Sequence, residues 1–242
     1  MVAFYKDFAI IVLYVIKYKS SAEAEDDAMA KINKQSLVDQ IYARLRKDIL
    51  TRELPLGSRI NVNEIQEGLG VSSTPLREAL NRLQQDGLVV LETNIGASVL
   101  SLDAHDVEEI EELAYTLQSA AVHFSLERGD RAVMLREIEE QLARYAQTDN
   151  PRKGMQAVFE LIGSFYHHCG NRRLDNSMIA FQGQVLLLRH IYAECPGSLD
   201  NLDLLQQICD GVRENDEQRI LAALWEYSQR SRTAIIQWLD EQ

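Results

Sequence analysis

GVSSTPLREALNRLQQDGLVV, from Gly70 to Val90, decides how this 242-residue chain is read. Leu76, Leu80 and Leu83 fall on one face of a helix, and Arg77, Asn81 and Gln84 fall on the other. Thr74 is the expected N-cap and Pro75 the first helical residue, where a missing N–H costs nothing. Asp86 and Gly87 end that helix. Upstream, Val71 and Ser72 form a tight turn after a short helix capped by Asn61 or Asn63 and stopped by Gly70. Before it, Leu37, Ile41, Leu45 and Ile49 recur every four residues across 36–51, until Pro55, Gly57 and Ser58 break the pattern. Downstream, two β-branched apolar runs, 88–93 and 97–100, meet through Asn94, Ile95 and Gly96 and predict a β-hairpin. Helix, helix–turn–helix and hairpin, in that order, make a winged helix-turn-helix. Its second motif helix meets base edges with its N-terminal part, and its wing reaches a neighbouring groove or the backbone.

A formal net charge of −12 is a poor match for a polyanionic partner. The charge is unevenly spread, however. Residues 35–102 hold 7 Lys/Arg against 8 Asp/Glu, and residues 1–34 hold 5 of each. From Asp103 onward the count is 13 against 24. The acidity therefore belongs to the C-terminal half, and the candidate reader is nearly neutral.

The length allows one large domain or two ordinary ones, each with its own core. The composition, rich in Leu, Ala, Glu and Gln with four prolines, favours helix. Cys169, Cys195 and Cys209 form an odd set without a CxxC pair, which argues against a disulfide framework or zinc ribbon and suits a reducing cytoplasm. Residues 1–34 read as a partly disordered extension. The apolar stretch Phe8 to Ile16 is too short to span a bilayer, and the acidic segment after it reads as a connector.

Residues 103–242 read as helix throughout. Val107, Ile110, Leu113, Leu117, Ala121 and Phe124 line one face of the first block. Further blocks follow at about 130–147, 153–168, 172–194, 201–213 and 216–240, separated by short Gly, Pro, Asn and Asp punctuation. Six antiparallel helices round one core commonly hold a small-molecule pocket. The fold class is mainly α: a winged helix-turn-helix over 35–102, then a six-helix bundle over 103–242.

The run through Gly70, Val71, Ser72, Pro75, Arg77, Glu78, Ala79, Leu80, Leu83 and Gly87, placed before a wing, resembles the GntR family of bacterial transcription regulators. The resemblance implies DNA contact at Asn63, Ser72, Ser73, Thr74 and Arg77, and in the wing at Asn94 and Gly96. Arg77 is the implied guanine contact. Asn63 and Ser73 stand where many relatives carry arginine, which removes part of the counterion-release contribution to affinity. The helical half resembles the FCD-type ligand-binding domain of the FadR subfamily, and six helices favour its VanR-like branch. The implied protein is a cytoplasmic homodimer on a two-fold operator, its two readers compensating for sparse arginines.

That resemblance also implies an effector pocket at Ala114, Gln118, Val158, Ile162, Leu205 and Tyr227. Relatives place an Asp and three His ligands at the positions of Val158, Ile162, Leu205 and Tyr227, so no metal and no cofactor is expected here. Tyr227 would be the one polar group facing inward, and the effector an apolar or aromatic molecule with few polar atoms. No catalytic arrangement is expected either. His167, His168 and Cys169 are helix neighbours pointing about 100° apart, unable to share a task. The acid-rich stretches EEIEEL and REIEEQ read as solvated faces. The rival class is a protein-interaction or ligand-binding module without specific DNA recognition, and Arg77 is the residue that favours the DNA reader over it.

Overall fold

The structure, a computed structural model, describes residues 36–93 and 95–241. The readings of residues 1–34 and of Asn94 lie outside the described residues. Among the described residues, nine helices and the two hairpin strands follow the expected order, and one further short strand joins them. Helix α1 (Leu37–Leu50) opens on a capping box, in which Ser36 Oγ accepts from the Asp39 N–H and the Asp39 carboxylate accepts from the Ser36 N–H. Helix α2 (Val62–Leu69) is capped by Asn61 and closed by Gly70 at φ +64°, a left-handed residue that glycine adopts without strain.

Helix α3 (Ser73–Gln85) departs from expectation at its start. Ser72 is the N-cap, and Pro75 sits third in the helix instead of first. The shift is tolerated because the first four helical N–H groups have no intrahelical acceptor, so a proline at any of them forfeits nothing. Leu76, Ala79, Leu80 and Leu83 are buried against α1, as the periodicity requires.

The hairpin forms from β2 (Val89–Glu92) and β3 (Gly96–Val99), and it gains a third strand that periodicity did not reveal. Strand β1 (Arg59–Ile60) pairs antiparallel with β3, giving the order β1-β3-β2. Two residues are too few to display an alternation, so the strand exists only through its partner.

The helical half contains α4 (Ala104–Arg128), α5 (Arg131–Ala146), α6 (Pro151–His168), α7 (Arg172–Tyr192), α8 (Leu202–Glu214) and α9 (Glu217–Asp240). Asn or Asp side chains cap α4, α5, α6, α7 and α9. Helix α4 packs on α6, α7 and α9, and α7 touches α1 as well. Leu113, expected inside, is 45% exposed, because the buried stripe of α4 runs instead through Val107, Ile110, Glu111 and Ala114.

One acid in EEIEEL corrects the solvated-face reading. Glu111 is 2% exposed and pairs with Arg189, itself buried on α7. Arg189 Nη2 lies 2.7 Å from both Glu111 oxygens, and Arg189 Nη1 donates to Ser231 Oγ. Ser228 and Ser231 of α9 donate to Glu111 at 3.0 and 3.1 Å. Three helices are tied at one point, and every formal charge there has a partner.

The winged-helix and helical parts meet along α7. A Cβ added at Gly183 would lie 2.3 Å from the Asp86 carbonyl oxygen, so backbone meets backbone there with no room for a side chain. Asp86 is the C-cap of α3, and its carboxylate accepts from Tyr42 Oη and lies 3.7 Å from Arg46 Nε. Further along, Arg52 pairs with Glu194 and stacks over the Trp238 ring, 4.9 Å from its centroid. His190 sits among these groups. Burial, and then the Arg152, Arg46 and Arg52 charges, lower its pKa to about 4.

Glu111→Ala leaves the Arg189 charge buried without its counterion, and is expected to cost about 3–5 kcal/mol of unfolding free energy in urea titrations. Replacing both members with Leu and Met should recover most of that loss. For His190, the unfolded imidazole titrates near its ordinary 6.5 and the folded one near 4, so the unfolded chain binds more protons between them. Stability from this group therefore falls as the pH drops through that window. His190→Gln should lessen the pH dependence of the urea midpoint by up to about 1.4 kcal/mol per pH unit.

Candidate nucleic-acid interface and bundle cavity

The N-terminal end of α3 faces solvent. Ser72, Ser73, Thr74 and Arg77 are all exposed, and the Ser72 side chain makes no capping hydrogen bond. The three hydroxyls lie beside first-turn N–H groups at the positive end of a helix dipole, a combination that attracts anionic oxygen. Arg77 follows Ser73 and Thr74 by four and three residues, so it rises from the same face. Asn63 is exposed in the first turn of α2, its N–H bonded to the Asn61 cap at 3.2 Å. In the wing, Gly96 is exposed at φ +116°, a backbone setting that L side chains rarely adopt.

Ion pairing separates the cations of this part into two groups. Arg44, Arg46, Lys47, Arg52 and Arg82 each lie within 4 Å of an acid: Asp48, Asp86, Glu53, Glu194 and Asp39 respectively. Arg59 and Arg77 are exposed and have no ion pair among the described residues. Arg59 is the residue that sequence reasoning missed. It lies on β1, opposite Ser98 of the wing, and its neighbours Gly57 and Ser58 read only as a helix break. Two uncommitted guanidiniums thus mark the second motif helix and the sheet that carries the wing.

A cavity of about 70 Å³ lies between α4, α6 and α7. Gln118, Val158 and Ile162 line it, so three of the six expected pocket residues come together. Ala114, Leu205 and Tyr227 do not line it; they are packed in the core, with Tyr227 edge-on to Tyr192 and below Arg189. Met155, Phe159, Tyr166, Met178, Gln182 and Arg189 complete much of the wall. Tyr227 is consequently not the one inward polar group: Glu111, Arg189, Tyr166 and Gln182 are also buried in this half. These positions were illegible because each belongs to a different helix face, and spacing along one helix does not report contacts with another.

Cys169, Cys195 and Cys209 are buried free thiols. His168 Nε2 lies 3.2 Å from a Glu137 carboxylate oxygen, which gives its ring a hydrogen-bonding partner at the end of α6. Among the described residues no three His, Cys, Asp or Glu side chains converge as a metal site requires. No helix among them is long and apolar enough to cross a membrane.

Residues 37–99 match the family model of bacterial regulatory proteins of the gntR family. The HTH-type transcriptional regulator YdhC of Bacillus subtilis (strain 168) is 32% identical over 143 residues, 57% of this chain and 62% of that protein. The chain thus spans about three fifths of the length of this relative. The Nta operon transcriptional regulator of Aminobacter aminovorans is 40% identical over 73 residues, 30% of this chain and 35% of that one. Two solved structures share the fold. E. coli McbR/YncC superposes with a TM-score of 0.67 at 20% identity, covering 85% of this chain and 99% of that chain. A GntR-type regulator from Rhodococcus sp. RHA1 does so at 0.66 and 21% identity, covering 84% and 99%.

Proposed function

We propose, from the gntR-family domain at residues 37–99, that this chain is a sequence-specific DNA-binding transcription regulator. The observation that carries the reading is the exposed start of α3, where uncapped hydroxyls, free helical N–H groups and the unpaired Arg77 share one face. Ser72, Ser73 and Thr74 hold phosphate oxygens, Arg77 reads a guanine edge, and Arg59 and the wing around Gly96 hold the backbone alongside. Asn63 adds a neutral contact where an arginine would have added charge. The protein acts in the cytoplasm as a homodimer of the FadR subfamily, VanR-like branch, with residues 103–242 forming an FCD-type effector and dimerisation domain. It performs no catalysis.

The effector occupies the cavity beside Gln118, Val158 and Ile162, and Ala114, Leu205 and Tyr227 pack the layer around it. Helix α7 transmits its presence. Gln182 lines the cavity, while its neighbour Gly183 abuts the C-cap of α3 and Gln184 packs over Gly87. A displacement of α7 by the ligand therefore moves the end of the reading helix.

Fluorescence anisotropy with a duplex selected by the protein from a random pool tests these roles. Arg77→Ala is expected to cost about 1–3 kcal/mol on the selected duplex and little on random DNA. Unchanged binding to both would remove the reading role from α3. Arg59→Ala should weaken both duplexes alike and lower the salt-dependence slope by about 1. Gly183→Ala forces α7 away from Asp86 and should weaken the selected duplex about fivefold, the low end of coupling between sites. Wild-type affinity in that variant would rule out α7 as the route.

A further inference from the structure

The cavity wall prescribes the chemistry of its occupant, on the reading that this cavity is the effector site. Its surface is chiefly apolar, from Val158, Phe159, Ile162 and Met178. The one guanidinium in the wall, Arg189, gives Nη2 to both Glu111 oxygens and Nη1 to Ser231 Oγ, so its charge is already balanced by a buried carboxylate. Asp175 adds a carboxylate to the same wall. A carboxylate ligand would lose its hydration, find no unpaired cation, and stand near two acids. The remaining polar wall is different in kind. Tyr166, 7% exposed, has a buried hydroxyl with no hydrogen-bond partner among the described residues. A buried donor left unpaired is a standing cost, relieved by any acceptor that reaches it.

We propose that this cavity binds a small uncharged organic molecule whose carbonyl or hydroxyl oxygen accepts a hydrogen bond from Tyr166. Burial holds the Tyr166 phenol far above its ordinary pKa, so its proton is present to be donated at neutral pH. At about 70 Å³ the space is about half that of an engineered cavity known to admit benzene, which limits the occupant to a few non-hydrogen atoms unless the flexible Met155 and Met178 side chains move. Gln118 and Gln182 supply amides at the same wall for a second polar atom of the ligand.

The test uses the full chain labelled with ¹³C in its methionine methyls, since Met155 and Met178 line the cavity. Three probes are titrated: 2-butanone as the uncharged acceptor, butyrate as its anionic counterpart, and xenon as an apolar filler. 2-Butanone and xenon are expected to shift both methyl signals saturably, and butyrate to leave them unmoved. Tyr166→Phe should weaken 2-butanone about tenfold, the scale of one hydrogen bond, with xenon unaffected. Ile162→Phe, which fills the space, should abolish both responses. Butyrate binding more tightly than 2-butanone would overturn the charge assignment and still leave an effector site here. Equal 2-butanone affinity in Tyr166→Phe would remove the anchor. Silence of both methyls toward all three probes would overturn the site itself, and the anisotropy measurements on DNA would be untouched by that result.

Discussion

The pairing of Glu111 with Arg189 is the constraint around which the helical half is arranged. Two charges removed from water must find complete hydrogen bonding, and here the partners come from α4, α7 and α9 at once. Any relative slide of those helices would break contacts of 2.7–3.1 Å and expose a buried charge to an apolar surrounding. Because α7 runs on from this point to the junction with α1 and α3, fixing Arg189 also fixes how Gly183 meets Asp86. The ion pair thus sets the geometry of the cavity wall and of the contact with α3 together.

The acidic balance of the chain and the proposed DNA role are reconciled by where the charges lie and how they are used. Most acids belong to the helical half, and salt screening confines their fields to roughly 8–10 Å at ordinary ionic strength. Within the winged-helix part, five cations lie within ion-pairing distance of acids and contribute little net field. The two that remain, Arg59 on the wing sheet and Arg77 on the motif helix, are exposed and without an ion pair among the described residues. With so few free cations, the proposed DNA role would rest on hydroxyls and helical N–H groups as much as on charge.

Helix α7 carries two kinds of surface one residue apart. Gln182 faces the cavity and Gly183 the C-cap of α3, because successive helical residues point about 100° apart. Glycine at 183 lets the two backbones approach to a distance that any side chain would prevent. A close backbone contact is stiff, so a shift of the helix is passed on instead of being absorbed by side-chain rotation.

The sequence by itself determined the order of elements, the helical class, the buried leucines of α3, the left-handed stop at Gly70 and the gntR-type pattern from Gly70 to Gly87. These are local matters, in which side-chain spacing of three to four residues, capping chemistry and glycine φ act within a few residues of one another. The tertiary structure decided the rest. It added β1, which two residues cannot announce, and moved the cap of α3 to Ser72. It also drew Glu111 out of an acid-rich run into the core, and separated Val158 and Ile162, at the cavity, from Leu205 and Tyr227, in packed surroundings. Apart from the α3 cap, which the unpaired first-turn N–H groups leave free to shift, one physical reason is common to these. Each depends on which partner lies across from a residue, and contacts between elements are set by how whole faces pack, a property that spacing along one segment does not contain.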